Sequence, residues 1–90
     1  MQVLEVLGNA GYTRVSTVAR DGVAPDAANL SGSVAIVVGS EAHGLGADVI
    51  AATDLAVTIP MHGAVESLNA GMAATVLAFE AARQRSWDLA

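Results

Sequence analysis

Val34-Ala35-Ile36-Val37-Val38-Gly39 is the stretch on which the fold turns. Five apolar residues in a row, four of them β-branched, show no polar alternation, so they predict a strand covered on both faces that ends at Gly39. Strands buried on both faces belong to parallel sheets, and parallel neighbours need helices or long connections between them. Upstream, Tyr12 to Ala19 carries Thr13, Val15, Thr17 and Val18 and reads as a strand, followed by a polar loop with Gly22 and Pro25. Downstream, Ala47 to Ala52 predicts a brief helix, Asp54 to Ile59 a third strand and Pro60 to Gly63 a turn. Val3, Leu4 and Leu7 share one helical face before Gly8, Asn9 and Gly11, so a short helix opens the chain. The longest element is the last helix, where Leu68, Met72, Val76 and Phe79 fall at helical spacing and make its apolar stripe. Ala70, Ala73, Ala74, Ala78 and Ala81 on the same helix permit close approach to a neighbour. The order helix, strand, strand, helix, strand, helix predicts an α/β class with a parallel sheet flanked by helices.

Composition narrows the function classes. Ninety residues support one small core, and 53% apolar with 14% charged residues argues against disorder and suits elements covered on both sides. The charge-free run from Leu68 to Phe79 is too short to cross a bilayer, so no membrane role is expected. The N-terminal Met1-Gln2-Val3-Leu4-Glu5 has no basic region or cleavage signal, and a cytoplasmic setting is the expectation. The absence of cysteine removes disulfides, thiolate nucleophiles and cysteine-ligated metals. Nine acidic groups against four arginines give a net charge of −5, the reverse of a nucleic-acid-binding surface. Arg83 and Arg85 lie at the end of the last helix, where cations complement the macrodipole without any phosphate.

Two stretches carry more than fold. Gly39-Ser40-Glu41-Ala42-His43-Gly44-Leu45 comes directly after the buried strand, at the carboxyl end where open α/β sheets bind ligands. It lacks the spacing of a phosphate loop or a dinucleotide fingerprint, and by itself it is also compatible with an ordinary strand-to-helix connection. The second stretch, Thr58 to Met72, gathers polar residues at a helix start. Ser67 suits an N-cap there, and Asn69 in the first turn suits either a local backbone bond or a ligand contact. His43 and His62 come with no ligand pattern around them, so no metal site is expected, and nothing marks a hydrolytic nucleophile.

Val37-Val38-Gly39-Ser40-Glu41-Ala42-His43-Gly44-Leu45 and the segment from Thr58 to Arg85 resemble, in order and spacing, the last two motifs of the SpoU/TrmH branch of the SPOUT RNA methyltransferases. The resemblance covers about the final sixty residues. Ala42 stands where that family often has glycine, and Ala70-Gly71-Met72 replaces a more usual Val-Ser-Val. The resemblance implies that the chain is the C-terminal portion of a SPOUT-type domain, with residues 34–85 forming a cofactor-binding core tied in a trefoil knot. The function it implies is S-adenosylmethionine-dependent 2′-O-methylation of ribose in tRNA or rRNA. By the same resemblance, Gly39, Ile59 and Leu68 match positions that contact S-adenosylmethionine, with Ser40, Gly44, Leu45 and Met61 lining the same pocket. Glu41, Ser67 and Asn69 match polar residues that the family places around the cofactor and the reacting ribose. The family's arginine that activates the ribose hydroxyl belongs to an upstream motif; Arg14 and Arg20 do not match it, so these ninety residues are expected to lack it. Members of the family dimerise through the knot, which makes a homodimer the expectation. The alternative is a cofactor-binding or dimerisation module without activity.

Overall fold

The computed structural model describes residues 2–39, 45–60 and 70–85. Three parallel strands, β1 (Thr13–Thr17), β2 (Val34–Val37) and β3 (Leu55–Val57), stand in the order β2-β1-β3. Val15 is level with Ile36 on one side and Leu55 on the other, so the first strand in sequence is the middle of the sheet. Around the sheet lie α1 (Gln2–Asn9), α2 (Ala47–Ala51) and α3, described over Ala70–Gln84. All three expected strands and the expected α/β class are present. β1 and β3 are shorter than predicted at both ends, while β2 begins at Val34 as expected and stops one residue early, at Val37.

Alternating residues of β1 serve opposite faces. Val15, fully buried, enters a core with Ala28, Leu30, Val57, Leu77 and Ala81, supported by Val34, Ile36, Leu55 and Ile59. On the opposite face Ser16 is also fully buried. Its hydroxyl donates to the Leu55 carbonyl at 3.3 Å and lies 3.0 Å from Thr53 Oγ1. The buried polar group is thus satisfied, which a sheet with both faces covered requires.

The packing of α3 corrects one expectation. Its buried face is Ala73, Leu77 and Ala81, whereas Met72, Val76 and Phe79 of the predicted stripe are 54%, 37% and 61% exposed; Leu68 lies outside the described residues. Two alanines one turn either side of a single leucine let the helix backbone come close to the sheet, and the bulkier residues are left facing outward. A similar correction applies to α1, where Leu4 is buried but its neighbour Val3 is 69% exposed. Adjacent helical positions differ by about 100°, so a narrow contact in an eight-residue helix keeps only one of them.

The connection from β1 to β2 is more ordered than a polar loop. It contains a 3-10 turn over Pro25–Ala27, followed by buried Ala28 and Leu30. Gln84, in the last turn of α3, fastens this connection. Its carboxamide oxygen accepts the Leu30 N–H at 2.7 Å, and its Nε2 donates to the Ala28 carbonyl at 2.9 Å. Replacing Gln84 by leucine leaves both backbone groups without their partners and is expected to cost about 1–3 kcal/mol. In a domain of this size that lowers Tm by roughly 4–8 °C per kcal/mol, measurable by circular dichroism; an unchanged Tm would contradict the role given to Gln84.

Candidate functional site

Parallel strands deliver their carboxyl ends to one edge, and here that edge collects the exits of all three. β2 leaves through Val38 and Gly39, β1 through Val18, and β3 through Thr58, Ile59 and Pro60. With β1 between them, the exits of β2 and β3 stand two strand spacings apart, about 10 Å. Gly39 and Ile59 therefore stand on either side of the β1 exit, at the carboxyl edge where open parallel sheets take ligands. Both are half-buried, and Ile59 also packs against the core, so its position is set from below. Leu45, half-buried, leads into Gly46 and α2. Of the residues expected at the site, the structure brings Gly39 and Ile59 to this edge, with Leu45 on the connection that returns to α2. Ser40, Glu41, Gly44, Met61, Ser67, Leu68 and Asn69 lie outside the described residues, as do His43 and His62.

The edge is held together by bonds that no motif announced. Thr17 Oγ1 donates to the Val37 carbonyl at 3.3 Å, joining the ends of β1 and β2. The Val18 N–H donates to the Val57 carbonyl at 3.0 Å, joining β1 to β3. Thr17 was visible in the sequence only as a β-former, and its hydroxyl bond depends on a register that no local pattern encodes.

The shifted ionisable groups lie away from this edge. Asp54, just before β3, accepts the Arg14 backbone N–H at 2.7 Å and the guanidinium at 3.1 and 2.9 Å. These bonds from Arg14 hold the Asp54 carboxyl down at about 2 and raise Arg14. Arg14 Nη1 also donates to the Leu4 carbonyl at 3.2 Å, so one side chain joins α1, β1 and the start of β3. Gly8 makes room for it, since a Cβ there would stand 2.7 Å from the guanidinium carbon. On α3, Arg83 chiefly, with Gln84, holds Glu80 at about 2. Arg85 donates to the Gly32 carbonyl at 3.3 Å. Perturbed groups are often functional, but one ion pair between elements, Asp54 with Arg14, and one within α3, Glu80 with Arg83, account for these. Arg83, paired with Glu80, and Arg85, bonded to the Gly32 carbonyl, are both engaged within the fold. Arg20, exposed in the turn after β1, is the one arginine at the carboxyl edge among the described residues. Among the described residues no group of three or more His, Cys, Asp or Glu could hold a metal ion. No described helix is long and apolar enough to cross a membrane.

Residues 1–79 match the model of the SpoU rRNA Methylase family. The chain is 43% identical over 81 residues to the 23S rRNA (guanosine-2'-O-)-methyltransferase RlmB of Xylella fastidiosa, covering 90% of this chain and 29% of that protein. It is 37% identical over 87 residues to an uncharacterized tRNA/rRNA methyltransferase of Synechocystis, covering 97% of this chain and 23% of the relative. The chain thus spans between a fifth and a third of the length of these relatives. Among solved structures, the A. aeolicus TrmH/SpoU tRNA modifying enzyme superposes with a TM-score of 0.85 at 30% identity, over 97% of this chain and 45% of that one. The SpoU methyltransferase AviRb of Streptomyces viridochromogenes, in complex with the cofactor AdoMet, gives 0.78 at 32% identity, over 94% and 33%.

The ion pairs make the fold sensitive to acid. Asp54 and Glu80 are both held at about 2, below their ordinary values of 3.8 and 4.5. A lowered carboxyl contributes stability above its unfolded value and loses it as pH falls towards its folded one. Tm should therefore decline as pH falls from about 4.5 to 2, and Asp54→Asn should have a lower Tm at neutral pH with a shallower decline. A thermal-melt series across this range checks it; equal slopes in the two proteins would show that the Asp54 pair is not the cause.

Proposed function

Since the chain belongs to the SpoU rRNA Methylase family, we propose that its carboxyl edge binds S-adenosylmethionine and serves RNA ribose 2′-O-methylation. The observation that carries this reading is the placement of Gly39 and Ile59 at the same carboxyl edge of the sheet, on either side of the β1 exit. It is supported by the likeness to AviRb, whose structure holds AdoMet, and to RlmB, a guanosine-2'-O-methyltransferase of 23S rRNA. The residues present fit a cofactor with a flat apolar ring and a polar tail. Ile59 and Leu45 offer apolar walls, and Gly39 allows backbone groups to come near a ligand. On this reading Ser40, Gly44, Met61 and Leu68 complete the pocket, while Glu41, Ser67 and Asn69 orient the cofactor and the ribose. The cofactor would supply a methyl group already activated on a sulfonium, so the protein's task is to align the acceptor hydroxyl and help remove its proton. RNA, either tRNA or rRNA, is the substrate class proposed for the whole protein, in a cytoplasmic setting, with residues 34–85 as the knotted core.

A second reading is favoured by the charge. Arg14, Arg83 and Arg85 are engaged in the fold, the net charge is −5, and the resemblance assigns the activating arginine to none of the four. Taken alone, these ninety residues then act as a cofactor-binding and dimerising module. A second copy is the proposed occupant of the outward stripe of α3, because Val76 and Phe79 present apolar surface beside a chain that is 53% apolar.

Calorimetric titration with S-adenosylmethionine should give a saturable heat, and Gly39→Val should weaken binding at least about tenfold by blocking the backbone approach. Equal heats for the two proteins would remove the proposal. Radiolabelled methyl transfer to RNA in the same samples separates the readings, with none expected from the ninety residues alone. Light scattering should report twice the chain mass, falling to one chain mass in Phe79→Glu; a monomeric wild type at high concentration would exclude the dimer.

A further inference from the structure

Resting on the proposal that Ile59 lines a cofactor site, we infer that the Asp21–Val23 turn and Thr58 form a clasp that positions the exit of β3 for the ligand. The chain leaves β1, turns through Asp21 and then passes along the outer edge of β3, parallel to it at Val23. Asp21 adopts φ of 67°, in the left-handed region that aspartate, like asparagine, enters more readily than other non-glycine residues and that suits it to a tight turn. The next residues then engage β3 on the edge away from β1. The Gly22 N–H donates to Thr58 Oγ1 at 2.9 Å. The Val23 N–H donates to the Ala56 carbonyl and the Thr58 N–H to the Val23 carbonyl, both at 2.9 Å, and Val23 forms a parallel bridge with Val57. On the inner edge the Val57 carbonyl is held by the Val18 N–H at 3.0 Å.

The backbone immediately before Ile59 is therefore gripped from both sides. A three-residue strand could not fix its own exit, and the turn supplies what the sheet does not. Gly22 is required for this approach. A Cβ at that position would stand 2.8 Å from the Thr58 nitrogen, Thr58 Oγ1 and the Val57 carbonyl carbon, two of them backbone atoms that cannot swing aside. Gly22 and Thr58 are thus positioning residues that act through Ile59. A site held in shape before the ligand arrives loses less on binding than one that must be ordered by it.

The test pairs affinity with stability. In titrations with S-adenosylmethionine well below Tm, Thr58→Val, which keeps the shape and removes the acceptor, should weaken binding about three- to tenfold. Thr58→Ser should stay within about twofold of wild type, and Gly22→Ala should lose more than Thr58→Val. A Thr58→Val protein with lower Tm and wild-type affinity would assign Thr58 to stability alone and overturn the inference. A measurement on the unaltered chain does not depend on the variants folding. Saturating cofactor should slow amide exchange at Gly22 and Thr58 more than at Thr13 on the far edge, because coupling is reciprocal. Equal slowing at all three would also overturn it. A wild-type chain that gives no binding heat removes the cofactor reading itself, and so is told apart from a wild type that binds without needing the clasp.

Discussion

β1 carries the structure. It is hydrogen-bonded along both edges and covered on both faces, and Val15 and Ser16, consecutive and fully buried, stand for the two sides. Leu77 and Ala81 reach the sheet on the Val15 side. The Thr53 turn meets Ser16 from the other, and Arg14, two positions before Ser16, joins α1 to β3. A strand in this position tolerates little. A charge at Val15 would be stranded in the core, and an apolar residue at Ser16 would leave the Thr53 hydroxyl facing a methyl group. Because β2 and β3 take their positions from β1, the spacing of the carboxyl edge is set by the same strand.

The sequence disclosed most where a property is local. Val34 to Val37 was legible as a strand because a β-branched apolar run has few other places to go. Its expected cover on both faces was not found: β2 stands at the edge of the sheet and its four residues are half-buried, while β1 takes the middle. The placement of Gly39 and Ile59 at the carboxyl edge was legible because each follows a strand. The orientation of α3 was not legible. Met72, Val76 and Phe79 are more apolar than Ala73 and Ala81, and hydrophobicity alone ranks them as the inner face. The distance at which the helix packs decided otherwise, and no single helix contains that information. The fastening of Leu30 by Gln84 was hidden for a related reason, since the partners are 54 positions apart and neither belongs to a pattern. The Asp21–Val23 turn looked like an ordinary polar connection, and its grip on Thr58 exists only once β3 lies beside β1.

The division of charge follows the division of labour. Asp54 with Arg14 and Glu80 with Arg83 consume a large part of the chain's few opposite charges away from the carboxyl edge. What stands at the edge among the described residues is mostly apolar side chain, backbone and the bonded hydroxyls of Thr17 and Thr58, with Arg20 and Asp21 as neighbouring opposite charges. Such a surface suits a small ligand read by shape and by backbone groups better than a polyanion read by charge.

The placement of β1 also bears on how the chain reaches this structure. The strand made first must wait for both of its neighbours, and the contact between Arg14 and Asp54 closes a loop of 40 positions. Helical neighbours along a chain can pair as soon as they form, whereas every strand pairing here is separated by a long crossover. Folding should accordingly be slow for ninety residues, with a transition state that forms only when distant segments have met. Until then β1 is an exposed, two-edged template of β-branched residues, which makes the interval before β2 and β3 arrive the time when the chain is most open to pairing with another copy of itself.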